Sequence, residues 1–327
     1  MKKLLSLVLV LMLALSVAAA ASAEAPLKVA VVLSGATGDR SFYDSANEGL
    51  QHLVAAGKVE GTLIECKNDA SMFTTNLISA AEDNDVVIAV GWEFWDALAE
   101  YAPELPDTKF IFIDNGLDGV GDNLMSITYA QNEGSYLVGY IAGKLTQTGK
   151  IGAVGGEDSE TINDFIVGYE AGAKRANESV DVQVQYAGTY DDPAKGKELA
   201  LALNDAGCDI VFQVASRTGE GVFEAAAEKG FYAIGVDSDQ KYINPDVIIC
   251  SMIKQVGLSI ETAINNLIDN GEWMGGQIWV ADMSTGLVDV GYGEDGMTQQ
   301  VSDELKAEVE DIKAQIISGE IEVPTAF

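Results

Sequence analysis

The sequence predicts an α/β protein built as two similar three-layer α/β/α lobes. Three observations lead there. Short apolar runs rich in β-branched residues alternate with stretches whose apolar residues recur at helical spacing. Two of the runs end on an aspartate, Phe110-Ile-Phe-Ile-Asp114 and Phe231-Tyr-Ala-Ile-Gly-Val-Asp237. The order also repeats: Lys28, Asp69, Asp85 and Asp114 recur as Lys150, Asp192, Asp209 and Asp237, at offsets of 122, 123, 124 and 123 residues. Two halves of one chain thus carry the same β-α-β order. Ligands of open α/β sheets sit beyond the carboxyl ends of the strands. Two lobes facing each other would put Asp114 and Asp237 on opposite walls of one cleft.

The elements follow in chain order. Met1-Lys-Lys, an apolar run from Leu4 to Ala20 and Ala21-Ser-Ala23 form the three parts of a secretory signal peptide, residues 1–23. Leu27–Ser34 reads as the first strand. Ser41-Phe-Tyr-Asp44 fits a capping box with Ser41 as N-cap, and Ala46, Leu50, Leu53 and Val54 continue a helix that stops before Gly57. Further strands are expected at Thr62–Cys66, Val86–Val90, Lys109–Ile113 and Leu124–Tyr129. Helices lie between them, one from Met72 to Ala81 and one ending near Tyr101. From Gly134 a helix rich in small residues leads to Gly149 and the second half. Its strands are Lys150–Val154, Val182–Tyr186, Ile210–Val214, Tyr232–Val236 and Val247–Ser251. Asp192-Pro193 supplies an N-cap followed by proline at the first helical position. Ile253–Ile268 reads as helix, Gln277–Val290 as one or two strands, and Val301–Ile317 as an amphipathic helix on a lobe's outside. No linker is rich in Pro, Gly or Ser, so short crossovers join the lobes.

Composition removes whole classes of function. The formal charge is −32, and −34 once Lys2 and Lys3 leave with the leader. Such a surface repels nucleic acid and anionic membranes. Cys66, Cys208 and Cys250 are odd in number, widely spaced and set in or beside apolar runs, which reads as buried thiols rather than disulfides or a zinc site. The only histidine, His52, sits on a helical pattern as a half-buried packing residue. One histidine leaves little room for histidine-based catalysis. After the leader no second long apolar run occurs, so the mature chain is expected to be soluble.

Few catalytic patterns occur. Ser216-Arg-Thr-Gly-Glu-Gly-Val-Phe-Glu224 partly mimics a dinucleotide fingerprint, with Gly219 and Gly221 in place and Glu224 where a third small residue belongs. That glutamate would crowd the helix–strand approach the third glycine permits. Walker A, H-E-x-x-H, C-x-x-C and G-x-S-x-G patterns are all missing. Asp114, Asp237 and Asp239 could hold calcium in a nucleoside hydrolase, but they fall on two different lobes. Phe42, Trp92, Phe94 and Tyr190 fall at loop-to-helix junctions on the cleft side. Aromatic faces stack on flat rings, and carboxylates accept paired hydrogen bonds from sugar hydroxyls.

Several segments resemble the basic membrane protein family of ABC-transporter solute-binding proteins, whose best understood members are bacterial purine nucleoside receptors. They are Asp39-Arg-Ser-Phe42, Asn132-Glu-Gly-Ser-Tyr-Leu-Val-Gly139, Thr148-Gly-Lys-Ile-Gly-Ala-Val-Gly-Gly156, Tyr186-Ala-Gly-Thr-Tyr-Asp-Asp-Pro-Ala-Lys-Gly196, Thr218-Gly-Glu-Gly-Val-Phe223, Ile234-Gly-Val-Asp-Ser-Asp-Gln240 and Ser251-Met-Ile-Lys254. The resemblance implies a type I periplasmic-binding-protein fold, two lobes joined by a hinge. The lobes would comprise residues 26–130 plus 255–285 and residues 131–254 plus 286–327.

The resemblance also implies a site. Phe42 and Tyr190 match the aromatics that sandwich the purine, with Tyr190 where phenylalanine is usual. Asp114 matches the acid that reads the base edge, and Asp237 and Lys254 match the pair that holds ribose hydroxyls. Asp39, Ser41, Trp92, Thr218 and Gly219 complete the expected pocket. Tyr43 stands where the family has asparagine, and Ser216 and Arg217 where it commonly has glycines. The implied function is non-enzymatic: a monomeric receptor that binds a purine nucleoside for an ABC permease, without cofactor or metal. Another small solute, such as a sugar or modified nucleoside, and an exported nucleoside-cleaving enzyme are the alternatives. Many relatives are lipoproteins, but no cysteine follows Ala21-Ser-Ala23 here. A cleaved, freely diffusing periplasmic protein is therefore expected.

Overall fold

The computed structural model describes residues 25–327, so the signal-peptide reading lies outside the described residues. The chain first lays down β1 (Leu27–Leu33), α1 (Phe42–Ala55), β2 (Val59–Glu65), α2 (Ala70–Asp83), β3 (Val86–Val90), α3 (Trp95–Tyr101), β4 (Lys109–Ile113) and β5 (Leu124–Tyr129). Helix α4 (Gln131–Leu145) carries it across to a second lobe. There β6 (Lys150–Gly155), α5 (Glu160–Ala176), β7 (Asp181–Tyr186), α6 (Pro193–Asp205), β8 (Ile210–Val214), α7 (Glu220–Lys229), β9 (Tyr232–Asp237) and β10 (Ile248–Lys254) follow. Helix α8 (Val256–Asn265) and β11 (Ile278–Ala281) return to the first lobe, and β12 (Val288–Gly291) and α9 (Asp303–Ile317) end in the second.

The two sheets have the orders β11-β5-β4-β3-β1-β2 and β12-β10-β9-β8-β6-β7, which correspond strand for strand. The edges differ: β11 joins parallel to β5, whereas β12 joins antiparallel to β10. Central strands are buried on both faces; Val29–Leu33, Val86–Val90 and Phe110–Ile113 expose nothing. Helix-covered parallel strands therefore read as continuous apolar runs, which is why the sequence located them. This is the type I periplasmic-binding-protein fold.

The chain passes between lobes three times, at α4, at α8 and between β11 and β12. Glycine fixes the first crossing. A Cβ on Gly139 of α4 would lie 2.1 Å from the Tyr169 carbonyl oxygen of α5, and one on Gly172 would lie 1.9 Å from that of Tyr136. Only glycine permits helix backbones that close.

Several expectations change. β10 continues to Lys254, and the helix begins at Val256 rather than Ile253. Met252 and Ile253 are apolar and buried, and periodicity cannot say which element claims such residues. The Gln277–Val290 stretch divides into β11 and β12, one for each sheet. His52 is not half buried: its side chain is 68% exposed and its Nδ1 lies 2.8 Å from Glu261 Oε1. The three cysteines are free and buried. Among the described residues no helix is long and apolar enough to cross a membrane. Among them, too, no group of three or more His, Cys, Asp or Glu could hold a metal ion.

Candidate ligand cleft between the lobes

Asp114 follows β4 and Asp237 ends β9, and both aspartates adopt the left-handed region, at φ 83° and 63°. Few non-glycine residues do so, and such strain gathers at functional sites. Both residues line one interlobe cavity with about 520 Å³ of empty space, its mouth included. Phe42, Tyr43, Trp92, Glu93 and Asp114 reach it from the first lobe. Thr161, Ile162, Phe165, Tyr190, Ser216, Asp237 and Lys254 reach it from the second.

Lys254, only 2% exposed, donates to Asp114 Oδ1 across the lobes. Its Nζ also lies 5.0 Å from the Phe42 ring centroid, 4.9 Å from that of Tyr129 and 5.2 Å from that of Phe165. A buried ammonium needs such a partner, and the rings add cation–π attraction. Burial raises the Asp114 carboxyl against the pull of Lys254. Burial also pushes Asp237 up to about 6, with Lys254 and the Ser41 hydroxyl opposing it. Glu93 is pushed up to about 7, first by burial and then by the Asp114 and Glu157 carboxylates.

The loop before α1 ties the lobes together. Asp39 Oδ1 accepts from the N–H groups of Ser41 at 3.1 Å and Asp44 at 3.0 Å. Its Oδ2 accepts from Tyr43 N at 3.1 Å and from Ser216 Oγ of the other lobe at 2.8 Å. Ser41 holds the N-cap position, but its side chain makes no capping bond. Its hydroxyl donates instead to Asp237 Oδ2 at 2.5 Å. The expected capping box is therefore absent. Asp39 satisfies the helix N–H groups, freeing the Ser41 hydroxyl for a buried carboxylate, where a hydrogen bond is stronger. Asp44 accepts from Gly38 N and Arg40 N instead of closing the box.

Of the residues expected at the site, Phe42, Trp92, Asp114, Tyr190, Asp237 and Lys254 line this cavity. Asp39 and Ser41 stand at its closing edge. Thr218 and Gly219 are buried behind the wall. Thr218 Oγ1 accepts from Asp192 N at 2.8 Å and donates to the Thr189 carbonyl at 3.2 Å. A Cβ on Gly219 would lie 1.8 Å from Gln213 Oε1, and one on Gly221 1.9 Å from the Pro193 carbonyl oxygen. The glycine pattern there serves close packing against Gln213 and α6, not a phosphate. Phe94 does not face the cleft; it is core, 5.3 Å from Phe73 between ring centroids. Asp239 accepts from Gly293 N at 2.7 Å and caps a short turn.

Sequence reasoning missed Glu93, Thr161, Ile162 and Phe165. Glu93 sits inside Trp92-Glu-Phe94, a stretch read only for its rings. The α5 residues follow ordinary helical spacing and give no signal. The departures from the family pattern have partners. The Tyr43 hydroxyl lies 2.9 Å from Ser34 Oγ, and Arg217 bonds Asp191 Oδ1 at 2.7 Å.

Residues 27–326 match the family of ABC transporter substrate-binding proteins described as PnrA-like. The chain belongs to this basic membrane protein family. It is 35% identical over 322 residues to the ABC transporter nucleoside-binding protein BmpA of Lactococcus lactis, covering 91% of this chain and 89% of that one. It is 33% identical over 302 residues to basic membrane protein A of Borreliella burgdorferi, covering 91% and 88%. A solved ABC-transporter solute-binding protein from Aeropyrum pernix superposes with a TM-score of 0.81 at 27% identity, covering 91% of this chain and 94% of that one. The protein is thus an ABC transporter substrate-binding protein of the basic membrane protein family.

Proposed function

We propose that this basic membrane protein binds a purine nucleoside between its lobes and hands it unchanged to an ABC permease. The observation that carries the reading is the pairing of Phe42 from one lobe with Tyr190 from the other on a single cavity. A flat ring held between them touches both lobes and favours their closed arrangement. Asp237, one oxygen bonded to Ser41, retains a second that can accept from ribose hydroxyls. The name of the Lactococcus relative supports a nucleoside. The cavity's ammonium is already bonded to Asp114, and Asp237 and Glu93 add negative charge, so a neutral nucleoside suits it better than a nucleotide. We place the protein outside the cytoplasm, in a periplasm, as a monomer without catalytic activity.

A thermal-shift series of nucleosides, bases and sugars tests this, since a ligand that binds only the folded state raises the melting temperature. Nucleosides should give the largest shift. Release of free base from inosine would overturn the receptor reading.

A further inference from the structure

We propose that Glu93 is a specificity residue of this cleft, its carboxylate accepting a hydrogen bond from an amino or ring N–H group of the bound base. The inference rests on the nucleoside reading above. Glu93 lies in the short turn Trp92–Phe94 that follows β3, at a strand's carboxyl end, and lines the cavity. Its Oε2 is shut off from solvent and makes no well-formed hydrogen bond, the nearby Ser34 hydroxyl being paired with the Tyr43 hydroxyl at 2.9 Å; Trp92 Nε1, beside the Tyr190 hydroxyl, makes none either. Buried polar atoms are normally bonded, so each such pair of orphans needs an explanation.

Among the described residues no cation pairs with Glu93. The groups that act on Glu93 are the Ser34 hydroxyl after β1, Cys66 after β2, Tyr43 of α1, Asp114 after β4, Glu157 after β6 and Tyr190 after β7. Lys254, in the same cavity, is bonded to Asp114. That bond also engages one oxygen of the acid the family resemblance assigns to the base edge, whereas Glu93 keeps a free one. The missing partner of Glu93 is a donor, and the missing partner of Trp92 is an acceptor. Purine edges carry both, as the amino group beside a ring nitrogen or the ring N–H beside an oxygen.

Burial leaves the carboxyl titrating at about 7. The ionised form is the stronger acceptor, so a donor bound there favours it and binding displaces a proton below that pH. Affinity for adenosine or inosine, whichever binds more tightly, should weaken about fourfold from pH 8 to pH 6.5. Asp237 titrates lower, near 6, and its contribution persists in a Glu93 variant.

Calorimetric titration of wild type and Glu93→Gln, at both pH values, tests the inference, with purine riboside, which lacks the amino group and ring N–H, as a second ligand. Glu93→Gln should bind about tenfold more weakly at pH 8 and lose most of the fourfold pH dependence. Purine riboside should bind both proteins alike. If Glu93→Gln keeps wild-type affinity and slope, or if wild-type binding tightens as pH falls, the inference is wrong while the nucleoside reading stands. If wild type binds no purine nucleoside, that reading fails and takes this inference with it. Should the variant not fold, wild-type preference for adenosine or inosine over purine riboside, lost toward pH 6.5, decides the matter alone; no preference overturns it.

Discussion

Asp237 joins a strained backbone, a buried carboxyl and a bond across the cleft in one residue. If it holds the ribose, Asp237→Ala should weaken nucleoside binding by about 2–4 kcal/mol, the scale of charge-assisted bonds lost from a dry site. The free base should lose far less, and titration of both ligands checks this; equal losses would show that Asp237 does not read the sugar. Glu93 gives a prediction without ligand. Its carboxyl, raised from 4.5 to about 7, keeps a proton in the folded state that the unfolded chain has released. Its contribution to stability is therefore full below about pH 4.5 and is lost as pH rises through 7. The loss is up to about 3 kcal/mol, and Glu93→Gln should remove it. Urea denaturation of both proteins at pH 5 and pH 8 measures the difference; equal slopes with pH would contradict it. The two aspartates were legible because a charge ending an apolar run is conspicuous. Glu93 was not, because its environment is built from neighbours on six other segments that sequence spacing does not bring together.

At the scale of elements, the loop from Gly35 to Ser41 does two tasks at once. It caps α1 and it fastens the lobes. Asp39→Ala removes three backbone hydrogen bonds and one interlobe bond. It should cost about 1–2 kcal/mol of stability as a lost cap. Ser41→Ala should spare the cap, since its side chain plays no part there, and chemical denaturation ranks the two. The reverse ranking would restore the capping box. The sequence pattern located the strands and the helix openings at Asp69 and Asp192, whose side chains accept from Ser71 N and Lys195 N. It placed Ser41 correctly at the N-cap but misassigned its hydroxyl, because a capping box is a local rule and the partner that claimed the hydroxyl lies 196 residues away. Gly219 was expected to line the pocket and lies behind its wall for the same reason: what fills the space above a glycine is a tertiary fact.

The whole molecule is two copies of one lobe crossed three times by the chain, with the lobes in contact. Arg40 Nε lies 3.6 Å from Glu220 Oε1, and Gln240 Nε2 donates to the Arg40 carbonyl at 3.1 Å. These add to the Ser41, Ser216 and Lys254 bonds that span the cleft. Closure therefore has protein contacts of its own, and a bridging ligand adds to them. Phe42→Ala and Tyr190→Ala should each cost about 1–3 kcal/mol of affinity, as lost base stacking does. Each should also reduce ligand-induced compaction in solution scattering. Tyr190→Phe should be nearly silent, because stacking uses the ring; a large loss would assign the hydroxyl a bond to the ligand. The doubled lobe was legible as a repeat of aspartates at near-constant offset, but the edge strands were not, since β11 and β12 join opposite lobes from one short segment.

The most direct measurement is calorimetric titration of the purified protein with adenosine, inosine and guanosine, with ribose and the free bases alongside. One-to-one binding of at least one nucleoside, recovered unchanged, is the expected result. No binding of any nucleoside, tight binding of ribose alone, or free base accumulating in the cell would contradict a nucleoside receptor.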